Sequence, residues 1–128
     1  LKSLVAGSVA LILCATGLTS AHHSATGIDR SKKITVEGTV KEFRWVSPHA
    51  WLEVEVPNGK GGAALYNFEM TPPQVLVRAG WKSSTLKFGD KVKVTGRPFK
   101  NGDPGGLFLN VTLPSGQVMT DQEPARNQ

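Results

Sequence analysis

The stretch Thr71-Pro72-Pro73-Gln74-Val75-Leu76-Val77-Arg78-Ala79-Gly80-Trp81 decides how the rest of the chain is read. Thr71 followed three residues later by Gln74 spells a capping box, and Pro72 and Pro73 suit a first helical turn, where a missing N–H costs nothing. Val75, Leu76 and Val77 form an apolar body. Gly80 stands where a left-handed residue closes a helix, and Trp81 is placed to fold back on Leu76 as the apolar contact of a Schellman ending. One short helix over residues 72–79 is expected, with strand patterns on both sides.

Before the helix, Ile34, Val36, Gly38 and Val40 share one face, and Phe43 and Trp45 then fall on the opposite parity. That slip requires an extra residue near Lys41-Glu42, a bulge. A second strand over 51–56 buries Leu52, Val54 and Val56 and turns Trp51, Glu53 and Glu55 outward, with Ser47-Pro48-His49 as the corner between the two. A third runs about 64–70. After the helix, Lys91 to Gly96 alternates valines inside with lysines outside, and Leu107, Leu109, Val111 and Leu113 are expected as the buried face of a fifth strand. Gln117-Val118-Met119 reads as a short terminal strand.

Three strands, one helix and two strands is the order of an all-β, five-stranded Greek-key barrel of the oligonucleotide/oligosaccharide-binding (OB) type; an SH3-like barrel lacks the helix. The barrel is expected over 34–119, a polar N-terminal arm over 22–33 and a flexible tail over 120–128.

The chain has 128 residues, enough for one domain with a core, and its net charge of +5 suits an anionic partner without selecting one. Lys2, the apolar run from Leu4 to Ala15 and the small residues up to Ala21 read as a secretory signal peptide, 1–21. The run falls short of the roughly 20 apolar residues of a membrane span. Cleavage removes Cys14, the single cysteine, so the mature protein is expected in a bacterial periplasm or medium with no disulfide and no stable membrane anchor.

The chain has no mature thiol, no local Ser-His-Asp arrangement, no phosphate loop and no paired carboxylates, so catalysis by protein groups alone is not expected. Chemistry rests on His22, His23 and His49. If the signal is cut after Ala21, His22 offers its amine and imidazole to one ion. If the cut follows Ser20, a histidine at the third position lets amine, amides and imidazole wrap Cu(II) or Ni(II). Both cuts create a nitrogen-rich copper site, with His49 as a further imidazole and Met70 and Met119 as soft donors for Cu(I). The competing reading takes His22 and His23 as a polar start and His49 as a backbone-bonded corner residue.

Trp51, Tyr66 and Phe68 are the candidate ligand- or partner-binding aromatics, whereas Trp45 and Trp81 are expected to pack. Two further functions follow. One is an interaction module for a periplasmic redox enzyme, docking through Trp51 and the loop 101–106 without metal. The other is oligonucleotide or oligosaccharide binding on a face lined by Lys41, Arg44, Lys91, Lys93 and Arg97, where secretion argues against nucleic acid. Oligomeric state is left open.

Ala21-His22-His23-Ser24, Ser47-Pro48-His49-Ala50-Trp51, Phe68-Glu69, Arg78-Ala79-Gly80-Trp81 and Leu86-Lys87-Phe88-Gly89-Asp90 together resemble a family of small secreted bacterial proteins of unknown function. The resemblance covers essentially the whole mature chain and implies no activity, cofactor or catalytic residue. In general shape the chain is also similar to periplasmic OB-fold proteins, which implies a binding or accessory module.

Overall fold

A computed structural model describes residues 27–123. Its elements run β1 (Ile34–Arg44), β2 (Trp51–Pro57), β3 (Ala63–Glu69), α1 (Pro73–Arg78), β4 (Lys91–Pro98), β5 (Gly105–Thr112) and β6 (Val118–Thr120). The strands lie in the order β3-β2-β1-β4-β5-β6, and a parallel pairing of β3 with β5 closes the first five into a barrel. This is the expected all-β architecture, with the short helix between β3 and β4 and β6 added along β5.

The bulge in β1 falls where the change of parity required it. Val40 pairs with Val54 and Glu42 with Glu53, so Lys41 is the extra residue, and Phe43 and Trp45 return to pack against the core. The core itself is Val40, Leu52, Val54, Phe68, Met70, Leu76, Trp81, Val94, Phe108 and Val111 with their neighbours.

A second bulge corrects the reading of β5. Thr95 pairs with Asn110 and the next residue, Gly96, with Phe108, which leaves Leu109 extra. Phe108 and Val111 therefore fill the core, while Leu107 and Leu109, expected inside, are only half-buried and line a surface groove. Closure depends on two glycines at the start of this strand. A Cβ on Gly105 would lie 2.0 Å from the Asn67 carbonyl oxygen and one on Gly106 1.8 Å from that of Arg97, so only glycine lets the backbone pass between β3 and β4.

The two ends of α1 differ. At its C-terminus the Schellman ending forms as expected: Trp81 N–H donates to Leu76 C=O at 2.9 Å, Gly80 N–H to Val77 C=O at 3.1 Å, and Gly80 has φ 91°. The N-terminus has no capping box. Pro72 is the N-cap and no side chain caps the helix. Thr71 is turned instead to the C-terminal segment, its N–H donating to Asp121 Oδ2 at 2.9 Å and its hydroxyl to the Asp121 carbonyl at 2.8 Å.

Residues 120–123, expected as the start of a flexible tail, are consequently docked. Trp81 Nε1 donates to the Thr120 carbonyl at 2.8 Å, Arg78 pairs with Glu123, and Asp121 is buried. At the other end of the chain, Ile28 bridges to Phe99, Asp29 N–H donates to the Pro98 carbonyl and Lys100 N–H to that of Gly27, which lays this part of the arm along the end of β4. The proposed signal peptide 1–21, residues 22–26 and residues 124–128 lie outside the described residues.

Candidate functional site

His49 closes the corner between β1 and β2, which contains a cis Ser47-Pro48 bond. The corner is fastened to the end of β3: Met70 N–H donates to the Ala50 carbonyl at 2.9 Å, continuing the β2–β3 ladder past its last named pair. Ala50 is buried, which fixes the backbone on which His49 stands. Glu69 ends β3, opposite Trp51 in one neighbour and beside Leu107 in the other. It belongs by parity to the outer face, yet its side chain is only 6% exposed while that of His49 is 46% exposed.

His49 Nδ1 and Glu69 Oε1 form a hydrogen bond. An ionised carboxylate only accepts, so Nδ1 carries the proton and a neutral ring keeps its lone pair at Nε2. No described residue bonds Nε2 or Glu69 Oε2. Every fully buried side-chain nitrogen or oxygen among the described residues has a partner, so Oε2, which has none, reaches open space.

His49 and Glu69 both line a groove of about 410 Å³, together with Met70, Thr71, Pro72, Leu107, Phe108, Leu109 and residues 120–122. Asp121, 3% exposed, is its second buried acid. Burial pushes the Asp121 carboxyl above the usual carboxylate range, against the pull of the Thr71 hydrogen bonds. Among the described residues no three His, Cys, Asp or Glu side chains gather closely enough to hold a metal ion. The His49–Glu69 pair can thus supply one oriented imidazole, and any further donors must come from elsewhere.

The other expected residues are dispersed. Trp51 is half-buried on the outer face, with the Arg44 guanidinium 5.8 Å from its ring. Tyr66 stacks on Phe68 with centroids 6.3 Å apart, and Phe68, expected as a stacking aromatic for a ligand, is wholly buried and offers no free face. Trp81 is core and Trp45 packs against it. The cations of the supposed basic face are engaged locally: Lys41 with Glu55, Arg44 with Glu42, Lys93 with Glu37, Lys91 with Thr39, and Arg97 with the Arg30 carbonyl.

His22 and His23 lie outside the described residues. With Gly27 held at Lys100, five residue steps remain between His22 and the barrel, at most about 17 Å of extended chain. The later part of the polar arm is thus committed to the end of β4.

Sequence reasoning missed Glu69, Asp121, Leu107 and Leu109. The signal for Glu69 was an acid set between Phe68 and Met70 at a strand end. Asp121 had none, being one polar residue in a short polar tail.

Fold and corner together define a small OB-like barrel with a carboxylate-oriented histidine beside an apolar groove. The chain belongs to the family of unknown function DUF6152, whose model matches residues 9–110. The matched stretch includes all three histidines, Glu69 and Leu109, and ends before Asp121. No curated protein and no solved structure matches the chain.

Proposed function

We propose that this is a secreted, periplasmic copper-binding accessory protein, in which nitrogen ligands from the mature N-terminus, His22 or His23 with the free amine, are joined by His49 Nε2. The observation that supports the reading is the Glu69 carboxylate on His49 Nδ1. Histidines that bind metals generally donate their second ring N–H to a carboxylate or carbonyl, which fixes the tautomer and raises the basicity of the free nitrogen. A corner histidine with a purely structural role would more simply have bonded backbone. Nitrogen donors in this number favour Cu(II), whereas Met70, expected as a soft donor for Cu(I), is buried in the core.

A second reading, docking to a periplasmic redox enzyme without metal, is favoured by the Trp51–Arg44 stack beside the same corner, since tryptophan and arginine dominate binding energy at protein interfaces.

The deciding experiment is Cu(II) titration against a competing chelator, using the secreted protein with its natural N-terminus. One copper per chain is expected. Adding a residue ahead of the natural N-terminus should abolish the tight site, and His49→Ala should weaken it at least tenfold. Equal affinity in the natural and extended proteins would overturn the copper reading.

A further inference from the structure

The groove beside His49 has a chemistry of its own. It is lined by Met70, Pro72, Leu107, Phe108 and Leu109, and its volume of about 410 Å³ is within the range of roughly 300–1,000 Å³ typical of small-molecule sites. The ionisable groups lining it are two acids, Glu69 and Asp121, and one histidine. Asp121 is occupied by Thr71, whereas Glu69 keeps Oε2 without a protein donor. This oxygen belongs to a side chain that is 6% exposed and can only accept. A ligand that covers the groove takes water from this acceptor, a cost that a charged N–H donor offsets better than a neutral one. A carboxylate ligand would meet two acids, and a purely apolar ligand would leave Oε2 unpaired and cut off from water.

We propose that this groove binds a small organic ammonium ion with a compact apolar body, its N–H groups on Glu69 Oε2 and its body against Leu107 and Leu109. The bulge at Leu109 is what makes the site: it turns Leu107 and Leu109 outward while Phe108 fills the core beneath them. The site requires no metal, so it stands independently of the copper reading.

The test is a titration of the full mature protein in excess EDTA with 2-phenylethylammonium, 3-phenylpropanoate and 2-phenylethanol, followed by methyl and amide NMR shifts. The ammonium should bind at least tenfold more tightly than either of the others and move the Met70, Leu107 and Leu109 signals. Glu69→Gln should reduce its affinity about tenfold. Leu109→Arg, which puts a cation and its stem into the groove, should abolish binding while the core methyls of Val94 and Val111 keep their shifts. Equal binding of the alcohol, tighter binding of the carboxylate, shifts that map elsewhere, or no binding at all would each overturn the proposal. Because EDTA removes copper, failure here leaves the copper titration untouched, and failure there leaves this one standing.

Discussion

Two hollows on the barrel surface use their charges in opposite ways. The larger, about 520 Å³, lies over β1 and β4 and includes Glu37, Thr39, Lys91 and Lys93; there Lys93 Nζ is 3.2 Å from Glu37 and Lys91 Nζ 2.6 Å from the Thr39 hydroxyl. The smaller holds buried Glu69 and Asp121 among apolar walls. Exposed pairs of the first kind are solvated, and each contributes only about 0–1 kcal/mol. A carboxylate kept in an apolar wall and bonded to a histidine is costly to maintain and hard to explain by stability alone. The size of a hollow is therefore a poorer guide here than what its polar atoms have left over.

The largest expected effect concerns how the groove wall is built. Gly106→Ala puts a Cβ into the Arg97 carbonyl and should cost about 3 kcal/mol or more, on the scale of severe backbone and packing defects. Loss of the cooperative thermal transition, or a large fall in its midpoint, checks this; a midpoint within two or three degrees of wild type would show that β5 tolerates a side chain there.

Next is the tie between the helix entry and residues 120–123. Asp121→Ala strands the Thr71 N–H and should cost about 1–3 kcal/mol in urea unfolding. Asp121→Asn keeps an acceptor and removes the buried charge. Since the Asp121 carboxyl is raised in the fold, its charged form is disfavoured there, and the stability it gains on protonation is present at low pH and lost as pH rises through the folded value. Asp121→Asn should therefore be at least as stable as wild type at pH 7, and the difference should shrink as pH falls toward the ordinary value of 3.8. A gap that widens on acidification would reverse the assigned sign.

The smallest effect belongs to the lysine hollow. Lys93→Ala and Lys91→Ala should each change stability by no more than about 0.5 kcal/mol. A loss above about 1.5 kcal/mol from either would erase the contrast between the two hollows.

Much of this fold was legible in the residues, and the reasons are local. The parity slip between Val40 and Phe43 located the β1 bulge, and Gly80-Trp81 located the helix end, because each leaves its mark within a few positions. The β5 bulge was not legible. Leu107, Leu109, Val111 and Leu113 form an unbroken alternation, and only the pairing with β4 moves Phe108 into the core. Thr71-x-x-Gln74 satisfied the capping pattern, but a partner 50 residues away competed for Thr71 and won. Of the site, His49 was found as the internal histidine in a corner, whereas its partner Glu69 lies 20 residues away across the β2–β3 pair. Trp51, Tyr66 and Phe68 were grouped by residue type, and the barrel separates them into an outer-face residue, a half-buried residue and a core residue.

The central claim is that His49 Nε2 is a copper ligand held in place by Glu69. Pulsed electron paramagnetic resonance on the Cu(II)-loaded protein with its natural N-terminus tests it most directly, because a coordinated imidazole reveals itself through its remote nitrogen, here the Nδ1 bonded to Glu69. Wild type should show that modulation, Glu69→Gln should shift its quadrupole frequencies, and His49→Ala should lose one imidazole contribution. Identical spectra from all three proteins would place His49 outside the metal site and contradict the account.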